Sequence, residues 1–254
     1  MVPFSMKIVF YQFVILMVGL SGQIPLSLLP GLCFEEINIK AETTIVIDPG
    51  HGGENHGAKG NSGTLEKNLT LTLAKMICNH LQDQYRALLT RSDDRNIPLS
   101  DRTALANHHK ADLFISIHMG GAFEPDAAGS FIMFYAPPKA KTLKLEPNVP
   151  AISNHQDSQP EQWENLQLDY VSTSRKMAER LRTELKKRSS AINPKVENAN
   201  LYILSGATMP ALLIEPFYLT HPDTEKYYQN RKNLEQLAGD IAAGITAILK
   251  EEIL

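Results

Sequence analysis

Between residues 43 and 254, short apolar runs alternate with stretches whose apolar residues recur every three or four positions. Thr44–Asp48 (TIVID) predicts a buried strand, ended by Pro49, Gly50, Gly52 and Gly53. Leu69, Leu73, Met76, Ile77 and Leu81 follow at helical spacing. Ala87–Thr90 predicts a second strand and Leu99–His109 a helix. Leu113–Ile117 (LFISI) and Ser130–Tyr135 are the next strands, and Met177, Leu181 and Leu185 mark another helix. Ala211–Ile214 is a late strand, and Leu234, Leu237, Ile241, Ile245 and Ile248 mark a closing helix. This alternation predicts an α/β layer fold around a largely parallel sheet.

The chain has 254 residues, 43% hydrophobic and 21% charged, enough to build one sizeable core. Its net charge of −3 and the absence of a dense Lys/Arg run exclude phosphate-backbone binding, so no nucleic acid is expected as a partner. Two cysteines, Cys33 and Cys78, form no CxxC pair, which excludes a thiolate metal site. At the N-terminus, Lys7 precedes an apolar run from Ile8 to Leu20 that is shorter than the ~20 residues needed to span a bilayer. Residues 1–22 are expected to be a signal peptide and 23–42 a linker. The alternative is an uncleaved anchor over residues 8–34, because Ile24–Phe34 is also apolar. Leu32, immediately before Cys33, argues against a lipidated cysteine. Either way the domain at 43–254 is expected to work outside the cytoplasm, in the periplasm or the cell wall. Pro137–Asp169 breaks the strand–helix rhythm. It holds five prolines and the only tryptophan, Trp163, and is expected to be a structureless insertion.

Ligands of open α/β sheets bind beyond the carboxyl ends of the strands. The first strand ends at Asp48 and leads to His51, the third ends at His118, and the late strand ends at Glu215. Each has a plainer reading: His51 as a cap of the glycine turn, His118 as a hydrogen-bonded core histidine, Glu215 as a buried ion-pair partner. Glu66 falls in the first turn of a helix, where the dipole favours a carboxylate anyway. Two histidines and one carboxylate with an open fourth position is nevertheless a ligand set of zinc hydrolases. One such combination is His51, Glu66 and His118 on the metal, with Glu215 as base. Asp48 is a candidate to orient His51 from behind. HExxH, GxSxG and Walker motifs are absent.

Five segments, in order, resemble the zinc-dependent N-acetylmuramoyl-L-alanine amidases of the type 3 family, the bacterial cell-wall amidases. They are IVIDPGHGGENHGAKG (Ile45–Gly60), GTLEKN (Gly63–Asn68), TRSDD (Thr90–Asp94), SDRTALANHHKADLFISIH (Ser100–His118) and ANLYILSGATMPALLIEPFYLTHPDTEKY (Ala199–Tyr227). The resemblance covers Thr43 to Leu254. It implies one α/β domain with a mostly parallel or mixed sheet of about six strands, flanked by helices on both faces. It places the Zn²⁺ ligands on His51, Glu66 and His118 and the catalytic glutamate on Glu215. It also implies hydrolysis of the amide joining N-acetylmuramic acid to L-alanine of the peptidoglycan stem peptide; separately, a monomer is expected. The chain departs from the family where Met119, Gly120 and Gly121 follow His118 in place of Ala-Asn. It departs again where Pro216, Phe217 and Tyr218 follow Glu215 in place of Val-Gly-Phe. These departures motivate one alternative, a non-catalytic cell-wall-binding or regulatory protein; another exported zinc amidohydrolase is a second. Some relatives carry an insertion that covers the site until a partner displaces it. Residues 137–169 occupy a comparable place, with Glu161, Trp163 and Glu164 as candidate lid residues and an activator protein as the expected partner.

Overall fold

Ile45, Val46 and Ile47 are all fully buried, and the two-residue period of a strand sends them to opposite faces of a sheet. The structure, a computed structural model, describes residues 43–122, 124, 127–137, 163–189 and 192–252, without the side chains of 163–165 and 251–252. In chain order it contains β1 (Thr44–Pro49), α1 (Glu66–Leu81), β2 (Arg86–Leu89), α2 (Leu99–His108), β3 (Leu113–Ile117) and β4 (Phe131–Tyr135). A 3₁₀ helix (Trp163–Tyr170), α3 (Val171–Arg188), β5 (Lys195–Ala199), α4 (Tyr202–Ser205), β6 (Ala211–Glu215), α5 (Pro222–Gln229) and α6 (Arg231–Glu252) complete it. On one face Ile45, Ile47, Ile115 and Ile214 pack against the apolar stripes of α1, α3 and α6. On the other, Val46, Phe114 and Leu213 meet Ala106 of α2 and Ile203 and Leu204 of α4. Helices thus cover both faces of a single α/β domain. No helix among the described residues is long and apolar enough to cross a membrane.

The six strands lie in the order β2-β1-β3-β6-β4-β5. β2, β1, β3 and β6 are mutually parallel, whereas β4 runs antiparallel to β6 and parallel to β5. The sheet is therefore mixed. Two pairings fix the functional edge: Pro49 opposite Ile117, and Ile117 opposite Ile214. They align the carboxyl ends of β1, β3 and β6. Because β4 is reversed, its first residue, Phe131, pairs with Glu215, the last residue of β6. The amino ends of β4 and β5 consequently reach the same edge.

Four elements escaped the sequence pattern, the shortest being the four-residue α4 (Tyr202–Ser205). β5 is the outer strand beside β4, and Lys195, Glu197 and Asn198 leave Val196 as its one strongly apolar residue inside a five-residue run. α5 is only eight residues long and opens on Pro222 at its first turn. The end of the expected insertion is also ordered, since Trp163–Tyr170 forms the 3₁₀ helix. Gln167 is fully buried there, and its Nε2 donates to the carbonyls of Ala207 (3.0 Å) and Met209 (2.8 Å). Those carbonyls precede β6, and Pro137 lies two residues beyond the last residue of β4. Both flanks of residues 138–162 therefore sit at the amino end of β6, one strand length from Glu215.

Candidate metal centre

His51 lies in the turn leaving β1, with φ at +63°, in the left-handed region, and is followed by Gly52 at +127° and Gly53 at +58°. A non-glycine residue held there costs on the order of 1–3 kcal/mol and persists only where its surroundings over-determine it. Two buried arginines do so. Arg102 of α2 donates from Nη2 to the His51 carbonyl (2.8 Å) and from Nη1 to that of Pro49 (2.8 Å). Arg91, fully buried after β2, donates to the carbonyls of Pro49 (3.0 Å), Gly50 (2.8 Å) and Lys67 (2.9 Å). It ties the β1 turn to the first turn of α1. A Cβ on Gly52 would overlap the carbonyl of Arg95, so that position has no room for a side chain.

Glu66 is the first residue of α1 and only 3% exposed. Its Oε2 accepts the Ala58 N–H (2.7 Å) and its Oε1 the Met119 N–H (3.0 Å). The same two oxygens face His51 Nε2 and His118 Nδ1, each at 3.0 Å. The imidazoles meet edge-on, with centroids 4.8 Å apart. Burial alone would raise the Glu66 pKa. The hydrogen bonds and charges of His118 and His51 outweigh it and hold the carboxyl well below the usual carboxylate range. Burial likewise works against protonated His51, but Glu66 and the hydrogen bond to Asn55 raise its pKa. His51 Nδ1 lies 2.9 Å from Asn55 Oδ1, an acceptor, so Nδ1 carries a proton and Nε2 is the nitrogen available as a ligand.

The three donor atoms all lie within 4.8 Å of one another. Two donors about 2.0–2.1 Å from a tetrahedral zinc stand roughly 3.4 Å apart, so this group fits such an ion with small shifts. The His51–Glu66–His118 group can hold a metal.

Glu215 stands beside it because the His118 N–H donates to the Ile214 carbonyl (3.0 Å) across the β3–β6 pairing. Its side chain is half-buried and its pKa is raised, first by burial and then by the Glu66 charge, against the opposing pull of His118. Asp48 takes a different place from the one expected behind the His51 ring, where Asn55 sits. Fully buried, Asp48 accepts from Thr90 Oγ1 (2.5 Å), Arg102 Nη1 (2.9 Å) and Ser116 Oγ (2.8 Å). It reaches His51 through Arg102. Glu161, and the side chains of Trp163 and Glu164, lie outside the described residues, as do residues 1–42 and Cys33. Cys78 is buried away from the edge in α1, with its thiol pushed up to about 12 by desolvation.

Glu225 had no signal in the sequence beyond its place in the first turn of α5. It is 2% exposed and accepts the N–H groups of Ser62 (2.8 Å) and Thr64 (3.1 Å), in the loop that delivers Glu66. Gln229 Nε2 bonds the hydroxyls of the same two residues. Despite burial, those donors bring the Glu225 pKa down to about 2. Removing the carboxylate in Glu225→Ala is expected to cost about 2–3 kcal/mol, the range for charge-assisted bonds plus an unpaired N–H. Because the folded pKa lies below the unfolded one, this stabilisation is fully present above about pH 4.5 and is lost as pH falls toward about 2. Urea unfolding of both proteins at pH 7 and pH 3 checks it, the gap shrinking at pH 3.

A three-donor metal group at the carboxyl edge of a mixed α/β sheet, with a second carboxylate alongside, is the layout of a metal-dependent hydrolase. The Amidase_3 family model, described as N-acetylmuramoyl-L-alanine amidase, matches residues 45–247, and the chain belongs to that family. It is 30% identical over 222 residues to the N-acetylmuramoyl-L-alanine amidase AmiC of Neisseria meningitidis serogroup B, covering 83% of this chain and 53% of that protein. It is 29% identical to AmiA of Escherichia coli K12, covering 79% of this chain and 74% of the relative. The chain thus spans about half the length of the first relative and three quarters of the second. The solved amidase AmiC2 of Nostoc punctiforme superposes with a TM-score of 0.65 at 27% identity, over 82% of this chain and 97% of that one. An amidase from Clostridium difficile 630 gives the same TM-score, identity and coverage.

Proposed function

We propose that this domain is a zinc-dependent peptidoglycan hydrolase that cleaves the amide between N-acetylmuramic acid and L-alanine of the stem peptide. The observation that carries the reading is the convergence of His51 Nε2, His118 Nδ1 and the Glu66 carboxylate within 4.8 Å, on the edge that also bears Glu215. His51, Glu66 and His118 would hold the ion. When bound, zinc supplies Lewis acidity toward the carbonyl and lowers the pKa of water to about 7. Glu66 keeps two backbone N–H bonds whatever its imidazole partners do, so its orientation does not depend on the ion. Glu215, with its raised pKa, takes the proton of the attacking water. It returns that proton to the amide nitrogen as the C–N bond breaks, so the products are a carboxylic acid and a free amine.

Export belongs to the same proposal and is supported by the apolar run Ile8–Leu20. An activator protein displacing the 137–169 segment is also part of it, although residues 138–162 of that segment lie outside the described residues. Mass spectrometry of digested sacculi tests the reaction: soluble peptides starting with a free L-alanine amine, and glycan retaining intact lactyl carboxylates, are expected. Products cut between peptide residues would replace the amidase reading with a peptidase one.

A further inference from the structure

Beyond Glu215, on the side away from the metal group, the sheet edge continues through residues that no step above uses. Phe131 pairs directly with Glu215, and Lys195 pairs with Phe131. Paired residues of neighbouring strands project to the same face, so the three side chains stand in a row. Lys195 Nζ lies 5.9 Å from the centre of the Phe131 ring. Tyr218 joins the row with its ring 6.2 Å from that of Phe131. Gly120 makes the space for it, since a Cβ there would stand 2.6 Å from the Tyr218 ring. Phe131 and Tyr218 are half-exposed and Lys195 is exposed. Two partly open rings and a cation at the rim of a charged site make a surface suited to a chain that is apolar along its length and anionic at one point.

We infer that Phe131, Tyr218 and Lys195 form the subsite for the leaving-group arm of the substrate, and that this arm is a peptide carrying a carboxylate. The inference rests on the amidase reading and deepens it. A group that returns a proton to the departing nitrogen stands on the leaving group's side of the scissile bond. The acyl half therefore lies toward His51 and His118, and the amine half passes Glu215 toward β4 and β5. Strands are spaced about 4.8 Å apart, which puts Lys195 roughly 10 Å from Glu215. At about 3.4 Å per extended residue, its ammonium reaches the second or third residue of the stem. The same layout gives a physical sense to Gly120, where the family has Asn: the polar side chain is absent and an aromatic ring fills its place.

Two muramyl peptides, one with a free carboxylate on the second stem residue and one with that group amidated, test the assignment. The wild type is expected to show about a tenfold lower KM for the acidic substrate, the scale of one partly screened charge contact. Lys195→Met should abolish that preference, and Lys195→Glu should reverse it. Tyr218→Ala should raise KM for both substrates more than it lowers kcat, and Tyr218→Phe should retain most of the binding. Binding of the free acidic stem peptide, followed by NMR titration, gives a second readout that needs no turnover and should weaken in Lys195→Met. If Lys195→Met keeps both the preference and the peptide affinity while hydrolysis is intact, the subsite is wrong and the amidase reading stands. A wild type that hydrolyses neither substrate overturns the amidase reading, and the subsite with it.

Discussion

Glu215→Gln is expected to lower turnover by about 10²- to 10⁴-fold, the range over which a positioned proton-transfer group accelerates such steps. The amide side chain has nearly the shape of the carboxylate but cannot accept the proton of the attacking water or hand one to the leaving nitrogen. Glu215 is not among the three clustered donors, so metal content should stay at the wild-type level. Fold should survive as well, because the side chain is only half-buried at the end of its strand. Rates of peptide release, measured beside metal analysis of the same preparations, check both halves. Turnover near the wild-type rate would remove Glu215 from the chemistry. Loss of metal would reassign it as a ligand.

The second large effect concerns stability. Arg102→Met is expected to destabilise the domain by about 3–5 kcal/mol, the usual consequence of leaving one member of a buried ion pair alone. Arg102 is 2% exposed and Asp48 fully buried, 2.9 Å apart. The substitution leaves that carboxylate without its cation, frees the His51 carbonyl and takes one of two arginine donors from the Pro49 carbonyl. For a domain of this size the loss corresponds to roughly 6–20 °C in melting temperature. The double variant Arg102→Met/Asp48→Asn should lose less than the two single losses added together, because the uncompensated charge is gone. Denaturant unfolding gives the values, and a single-variant loss below about 1 kcal/mol would contradict the role assigned to this pair.

His51, His118 and Glu215 were legible in the sequence because each lies at, or within two residues of, the end of an apolar strand. The carboxyl ends of parallel strands in one sheet must face the same way, so strand boundaries suffice to bring these residues to one edge. Glu66 was not legible in that way. An acid in a first helical turn looks the same whether it serves the dipole or a metal. What distinguishes it, the N–H groups of Ala58 and Met119 and two imidazoles, comes from segments up to 53 positions away. Only the family resemblance singled it out. Asp48 could be placed but not understood, since its partners Thr90, Arg102 and Ser116 belong to three different parts of the chain. Arg91 and Arg102 were not singled out in the sequence, because the carbonyls of the His51 turn that their guanidinium groups hold lie about 40 to 50 positions away. β5 was missed because an outer strand of a sheet can carry few apolar residues, as KVENA does.

Zinc stoichiometry across four preparations bears most directly on the metal centre. The wild type, dialysed after zinc loading, should retain about one ion per chain, while His51→Ala, Glu66→Ala and His118→Ala should each retain far less and still give a wild-type far-UV spectrum. Full retention of zinc in all three folded variants would contradict a shared ion at these side chains.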